Sequence, residues 1–222
     1  ASSGVAAPHG HGHPCVRAHG RVLAIVGPTA SGKTALAVEV ALAVRALGRW
    51  TDAEVVGTDS MQAYRGMRIG TAAPTVAERR GIAHHMLEVW PSDAEVSVAE
   101  FQASAREAID QIQGRDALPI VVGGSGLYVS AVLDDLRFPG TNPSVRARYE
   151  QQLADIGSHA LHVRLADLDP IAATAILPTN GRRIVRALEV IELTGEPFTA
   201  TLPDPVDVYD TVRIGLDIPR DA

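Results

Sequence analysis

The chain has 222 residues, 46% hydrophobic and 21% charged, which suits one globular domain or one domain with an appendage. A net charge of −6 excludes a generally basic nucleic-acid binder, so any grip on nucleic acid must come from a local basic patch. The single cysteine, Cys15, excludes an internal disulfide framework and fits a reducing cytoplasm, and no apolar run approaches the roughly 20 residues of a membrane span.

Residues 1–20 are rich in Gly, Ala and His and can bury little surface, so they are read as a disordered tail. An incidental role is the simpler reading of His9, His11, His13 and His19, with metal binding the alternative. Val22-Leu23-Ala24-Ile25-Val26 then reads as a buried strand. It runs into Gly27-Pro28-Thr29-Ala30-Ser31-Gly32-Lys33-Thr34, a complete G-x-x-x-x-G-K-[ST] loop, and the helix formers of residues 35–42 follow. Strand, glycine loop and helix together make a phosphate cradle. Main-chain N–H groups and a helix N-terminus point at the anion, Lys33 adds a point charge, and the Thr34 hydroxyl can reach Mg²⁺. Lys33 is also the only lysine in the chain.

The first helix is expected to end near Gly48, and Glu54–Gly57 to form a second strand. Asp59 then sits at a strand's C-terminal end, where open α/β sheets bind ligands; a helix cap is the alternative. Residues 63–96 are loop-rich. His84 and His85, being adjacent, cannot easily share one face and are read as hydrogen-bonding rather than metal-binding. Ser97 and Glu100 form a capping box for a helix to about Gln113. The strand Pro119–Val122 ends in Gly123-Gly124-Ser125-Gly126 and not in the acidic magnesium ligand of an NTP-hydrolysing enzyme, which favours a transferase.

Residues 137–186 carry seven arginines against four acidic residues, a local charge of +3. Asn142-Pro143 and Asp169-Pro170 are helix starts, and a third helix spans Asn180 to Thr194 with Gly195 as its stop. On it Arg182, Arg183 and Arg186 can converge on one anion, although a solvated cationic face is the commoner outcome of such a run. Val212–Leu216 reads as a strand returning to the sheet. The expected layout is a tail (1–20), a phosphate-loop core (21–136), a mostly helical insertion (137–200) and a return strand (201–222). The fold class is α/β: a P-loop NTPase-like, three-layer parallel sheet with a helical insertion.

The ordered motifs resemble the tRNA dimethylallyltransferase family. They are the loop at 27–34, Asp59-Ser60-Met61-Gln62-Ala63-Tyr64-Arg65-Gly66-Met67, Ile69–Ala72, His84-His85, Gly123–Tyr128 and Arg182–Val190 with Thr194-Gly195. The resemblance implies transfer of a dimethylallyl group from dimethylallyl diphosphate to N6 of adenosine 37 in the tRNA anticodon stem-loop. Gly27, Pro28, Thr29, Ala30, Ser31, Gly32, Lys33 and Thr34 would hold the diphosphate. Lys33, Thr34 with Mg²⁺, and Arg183 or Arg186 would neutralise the leaving charge, and Asp59 would take the N6 proton. Asp59, Ser60, Met61 and Gln62 would contact the target base. Ser125, Arg146, Arg182, Arg183, Ile184, Val185 and Arg186 would meet tRNA. The protein would act as a cytoplasmic monomer, off the membrane.

The sequence departs from the family pattern in three places. Ser125 stands for the usual Thr, and Gly181 for an acidic residue before the paired arginines, which is expected to loosen that helix start. The family's further helices beyond residues 215–220 are expected to be absent. Three other readings share the loop: a relative that prenylates free adenine nucleotides, a P-loop small-molecule kinase, and a non-catalytic nucleotide-binding module. The arginine-rich insertion favours RNA.

Overall fold

The computed structural model describes residues 19–217 except 125, 137 and 199–205. Residues 1–18 of the expected tail, Ser125, Arg137 and residues 218–222 lie outside the described residues, while His19 and Gly20 already belong to the first strand. Among the described residues five parallel strands form one sheet: β1 (His19–Val26), β2 (Ala53–Gly57), β3 (His84–His85), β4 (Leu118–Gly123) and β5 (Tyr209–Gly215). Their order is β3-β2-β4-β1-β5. β4 is buried along its whole length, which fits a sheet covered on both faces.

One face is covered by α1 (Lys33–Leu47), whose Ala37, Val38, Ala41 and Val44 pack against Ile25, Val55, Leu118 and Ile120. The other is covered by α3 (Val98–Gln113) and α4 (Gly126–Leu133), with Phe101, Ile109 and Ile112 against Val22, Val56 and Val121. A short α2 (Val76–Arg79) lies in the connection before β3. The capping box of Ser97 with Glu100 starts α3, and Thr75 with Glu78 repeats it on α2. α1 stops at Gly48 in the left-handed conformation (φ 63°).

The insertion folds around its own core. It comprises α5 (Pro143–Leu168), α6 (Pro170–Ala175) and α7 (Gly181–Thr194), with Tyr149, Leu161, Leu165, Ile176, Ile184 and Leu188 buried together. Asn142, Asp169 and Asn180 cap the three helices with their side chains. α5 is not continuous: Gly157 (φ 80°, ψ 164°) divides it into two helices, a break not anticipated from the sequence. Nor does Gly181 loosen α7. Asn180 accepts from the Arg183 N–H, and a Cβ on Gly181 would lie 2.8 Å from Leu153, so the small residue admits close helix packing.

Glu189, fully buried on α7, ties the insertion together. It accepts from the Asn142 N–H at 3.0 Å, from Arg146 at 3.2 Å and from Arg186 at 2.8 Å. Burial opposes its ionisation, but the hydrogen bonds from Arg186 and Asn142 and the charge of Arg146 outweigh that and hold the carboxyl below its ordinary range. A depressed carboxylate pKa contributes stability above the ordinary value of about 4.3, and that contribution disappears as pH falls through the folded value. Glu189→Ala should therefore cost about 2 kcal/mol, because it strands two partly buried guanidinium groups. Urea unfolding of the variant should also show a shallower loss of stability below pH 4 than the wild type.

Candidate active site

The C-terminal ends of β1, β2 and β4 meet around a cleft of about 740 Å³. The loop after β1 forms its floor. Ala30 (φ 63°) and Gly32 (φ 79°) turn the chain so that α1 begins at Lys33. Gly32 gives α1 no side-chain cap, which leaves the first-turn N–H groups directed to the cleft. Thr29–Thr34 all line it. The Lys33 ammonium donates to the Pro28 carbonyl and, at 3.5 Å, to the Ser31 hydroxyl. Burial lowers the Lys33 pKa, and the nearby charge of Asp59 opposes the shift.

Glycines allow the strand ends to close on one another. A Cβ on Gly27 would lie 2.7 Å from the Leu216 carbonyl, at the end of β5. One on Gly124 would lie 2.9 Å from the Gly27 carbonyl and 3.5 Å from the Lys33 ammonium. One on Gly123 would lie 1.8 Å from the Thr58 hydroxyl. Thr58 is fully buried and donates through both its N–H (2.8 Å) and its hydroxyl (3.1 Å) to the Val122 carbonyl. That clamp fixes the residue before Asp59. The Asp59 carboxylate accepts from the Met61 N–H at 3.0 Å, closing a turn, and lines the cleft with Ser60 and Gln62. Gln62 donates to the Thr71 carbonyl at 2.8 Å. Met61 is 46% exposed and is not part of the lining.

The loop-rich segment contributes more than the sequence reading assigned to it. Thr71, Ala72, Pro74, Glu78, His84 and Leu87 form a cleft wall, and Arg80 pairs with Glu39 of α1 across it. His84 and His85 constitute the edge strand β3, and both are among the residues lining the cleft. His84 bonds through Nδ1 to the Ile82 carbonyl at 2.9 Å; a carbonyl only accepts, so Nδ1 carries the proton. Burial lowers the His84 pKa. His85 meets Glu54 at 2.6 Å, and Arg115 bonds the same carboxylate at 2.9 and 3.0 Å. Among the described residues no group of three or more His, Cys, Asp or Glu could hold a metal. A divalent ion here would rest on the Thr34 hydroxyl, which lines the cleft beside Asp59, and on ligand oxygens, the usual mode for Mg²⁺.

The arginine helix differs from expectation. No residue of α7 is among those lining the cleft. Arg186 does not join Arg182 and Arg183 on one anion; it donates to the Pro139 and Gly140 carbonyls and to Glu189. Arg146, expected at RNA, pairs with Glu189. Ile184 and Val185, also expected there, are buried in the insertion core, because their helical phase turns them inward. Arg182 and Arg183 are exposed at the start of α7.

A family model described as IPP transferase matches residues 62–222. The chain is 59% identical over 199 residues to a tRNA dimethylallyltransferase of Thermobifida fusca, covering 90% of this chain and 62% of that protein. It resembles the solved tRNA isopentenylpyrophosphate transferase of Bacillus halodurans (42% identity, TM-score 0.52, covering 88% of this chain and 59% of that one). It also resembles a eukaryotic dimethylallyltransferase described as acting on tRNA (27% identity, TM-score 0.73, covering 89% and 48%). The chain thus spans less than two thirds of the length of these relatives.

The contact between Gly123 and Thr58 yields a direct check. Gly123→Ala should destabilise the protein by about 1–3 kcal/mol in denaturant unfolding, since the methyl group displaces the Thr58 hydroxyl. Adding Thr58→Ala should recover part of that loss, a coupling measurable in a double-mutant cycle.

Proposed function

The chain belongs to the IPP transferase family, and from that membership we propose that it transfers the dimethylallyl group of dimethylallyl diphosphate to N6 of adenosine 37 in tRNA, releasing diphosphate. One observation carries this reading: a carboxylate, Asp59, shares a cleft with a main-chain anion cradle, and the cradle's ammonium feels its charge. The C–N bond forms between N6 and the allylic carbon as the bond from that carbon to the diphosphate oxygen breaks. The electron pair leaves with the diphosphate. The loop N–H groups and Lys33 are aimed at the charge that develops there. Asp59 accepts the N6 proton, which an almost non-basic exocyclic amine needs help to lose. Bound Mg²⁺, held by Thr34 and diphosphate oxygens, would add charge neutralisation at the leaving group.

Ser60, Met61 and Gln62 are the proposed contacts to the target base. Arg182 and Arg183 are the proposed contacts of the insertion to the RNA backbone, and Arg183 or Arg186 is the proposed partner of the leaving charge. Ser125 remains proposed for RNA by its motif alone. The protein would work in the cytoplasm as a monomer, with the anticodon stem-loop as the recognised part of tRNA.

The deciding experiment incubates the protein with dimethylallyl diphosphate, Mg²⁺ and an anticodon stem-loop, then analyses nucleosides by mass spectrometry. An N6-dimethylallyl adenosine at the target position is expected. Efficient prenylation of AMP with untouched stem-loop, or phosphoryl transfer from ATP, would overturn the reading. Asp59→Asn should lower the single-turnover rate by about 10²-fold or more, as removal of a general base does. Lys33→Ala should weaken binding of the prenyl diphosphate far more than binding of the stem-loop; equal losses would contradict its assignment.

A further inference from the structure

The loop from Ser60 to Ala72 leaves the cleft and returns to it. Ser60 and Gln62 line the cleft at its outgoing end, and Thr71 and Ala72 at its return. Ile69, between them, is 98% exposed, which is unusual for a large apolar side chain held in a well-bonded segment. The segment is held from several directions. Gln62 donates to the Thr71 carbonyl at 2.8 Å, and the Thr71 hydroxyl donates to the Met67 carbonyl at 2.6 Å. Glu88 accepts from the Gly66 N–H at 3.1 Å and from Arg68 at 2.9 Å, while Arg65 donates to the Glu88 carbonyl at 3.2 Å.

The base of the loop is anchored as well. Trp90 exchanges main-chain bonds with Ala63 and Arg65, and its ring stands 5.8 Å from that of buried Phe101. A tip tied down this way presents Ile69 to solvent as a fixed projection rather than as a floppy apolar residue. Arg65 and Arg68 precede it in the loop, and the Glu88 carboxylate pairs with Arg68, so the two arginines and one carboxylate leave a net positive charge.

A fixed apolar projection on a loop that carries cations, beside a cleft proposed to receive one base, matches the chemistry of stacked nucleic acid. Base-modifying enzymes must extrude their target, and apolar wedges such as Ile can occupy a base step, with Arg meeting the phosphates. We propose that Ile69 is a wedge that enters the anticodon-loop stack beside the target adenosine and holds that base out toward Asp59, with Arg65 on a neighbouring phosphate. This rests on the RNA-modifying reading above and extends it to how the base is made available.

The test uses a stem-loop carrying 2-aminopurine at the target position, whose fluorescence rises when the base unstacks. Wild-type protein should produce the rise on binding. Ile69→Ala should remove most of it and lower kcat/KM on the natural stem-loop roughly tenfold, and Ile69→Leu should restore both. The penalty should shrink several-fold on a short strand whose adenosine is already unstacked. Because Ile69 is exposed, unchanged thermal unfolding is expected to accompany the effect. An undiminished rise and rate with Ile69→Ala, or no rise with the wild type, would overturn the wedge; in the first case the tip is a surface for a protein partner or for none. A normal rise without any prenyl transfer would overturn the proposed reaction and leave the wedge standing.

Discussion

The site depends on how closely three strand ends can pack. In a parallel sheet the C-terminal ends of neighbouring strands all open on one edge, so a cleft forms there only if the turns leaving them do not collide. Gly27, Gly123 and Gly124 remove that collision, each at a position where a Cβ would meet backbone or a buried hydroxyl within 3 Å. Thr58 fills the space beside Gly123 and fastens β2 to β4 through the Val122 carbonyl. Asp59, the next residue, therefore inherits its position from the sheet itself. A carboxylate held by the Met61 N–H at a rigid sheet edge, near the lysine that opens α1, is the kind of preorganisation the proposed proton removal and charge separation would use.

The insertion obeys a different constraint. Its helices enclose a separate apolar core, and the polar interactions at its entrance converge on one buried carboxylate. Glu189 engages Arg146, Arg186 and the Asn142 N–H, so two arginines of a locally basic segment serve cohesion. Positive charge counted along a sequence is therefore not positive charge available to a ligand. Arg182 and Arg183 lie at the exposed start of α7.

The Ile69 tip connects the two halves of the proposed chemistry. In that proposal the cradle would take a diphosphate, which is small and reaches the loop by diffusion. The acceptor base arrives within a stacked polymer and must be separated from its neighbours first. A cleft wall made from an irregular but tightly bonded segment allows both tasks to share residues, since Gln62 and Thr71 at once line the cleft and brace Ile69.

Local signals were legible where chemistry and backbone geometry coincide within a few residues. The phosphate loop, the capping box at Ser97, the Asn142, Asp169 and Asn180 helix starts, the Gly48 and Gly195 stops and the returning strand were all read from short patterns. So was Asp59 at a strand end. Each follows from steric or hydrogen-bonding rules that act over one turn or one strand. The order β3-β2-β4-β1-β5, the role of the two histidines as an edge strand, and the wall formed by Thr71–Leu87 were decided by packing between distant segments. The same holds for Arg146, Arg186, Ile184 and Val185. Helical spacing sets Arg186 three residues from Glu189, but only the tertiary structure buries that carboxylate and brings Arg146 and the Asn142 N–H to it, because the energy of a buried charge depends on which partners the fold brings to it.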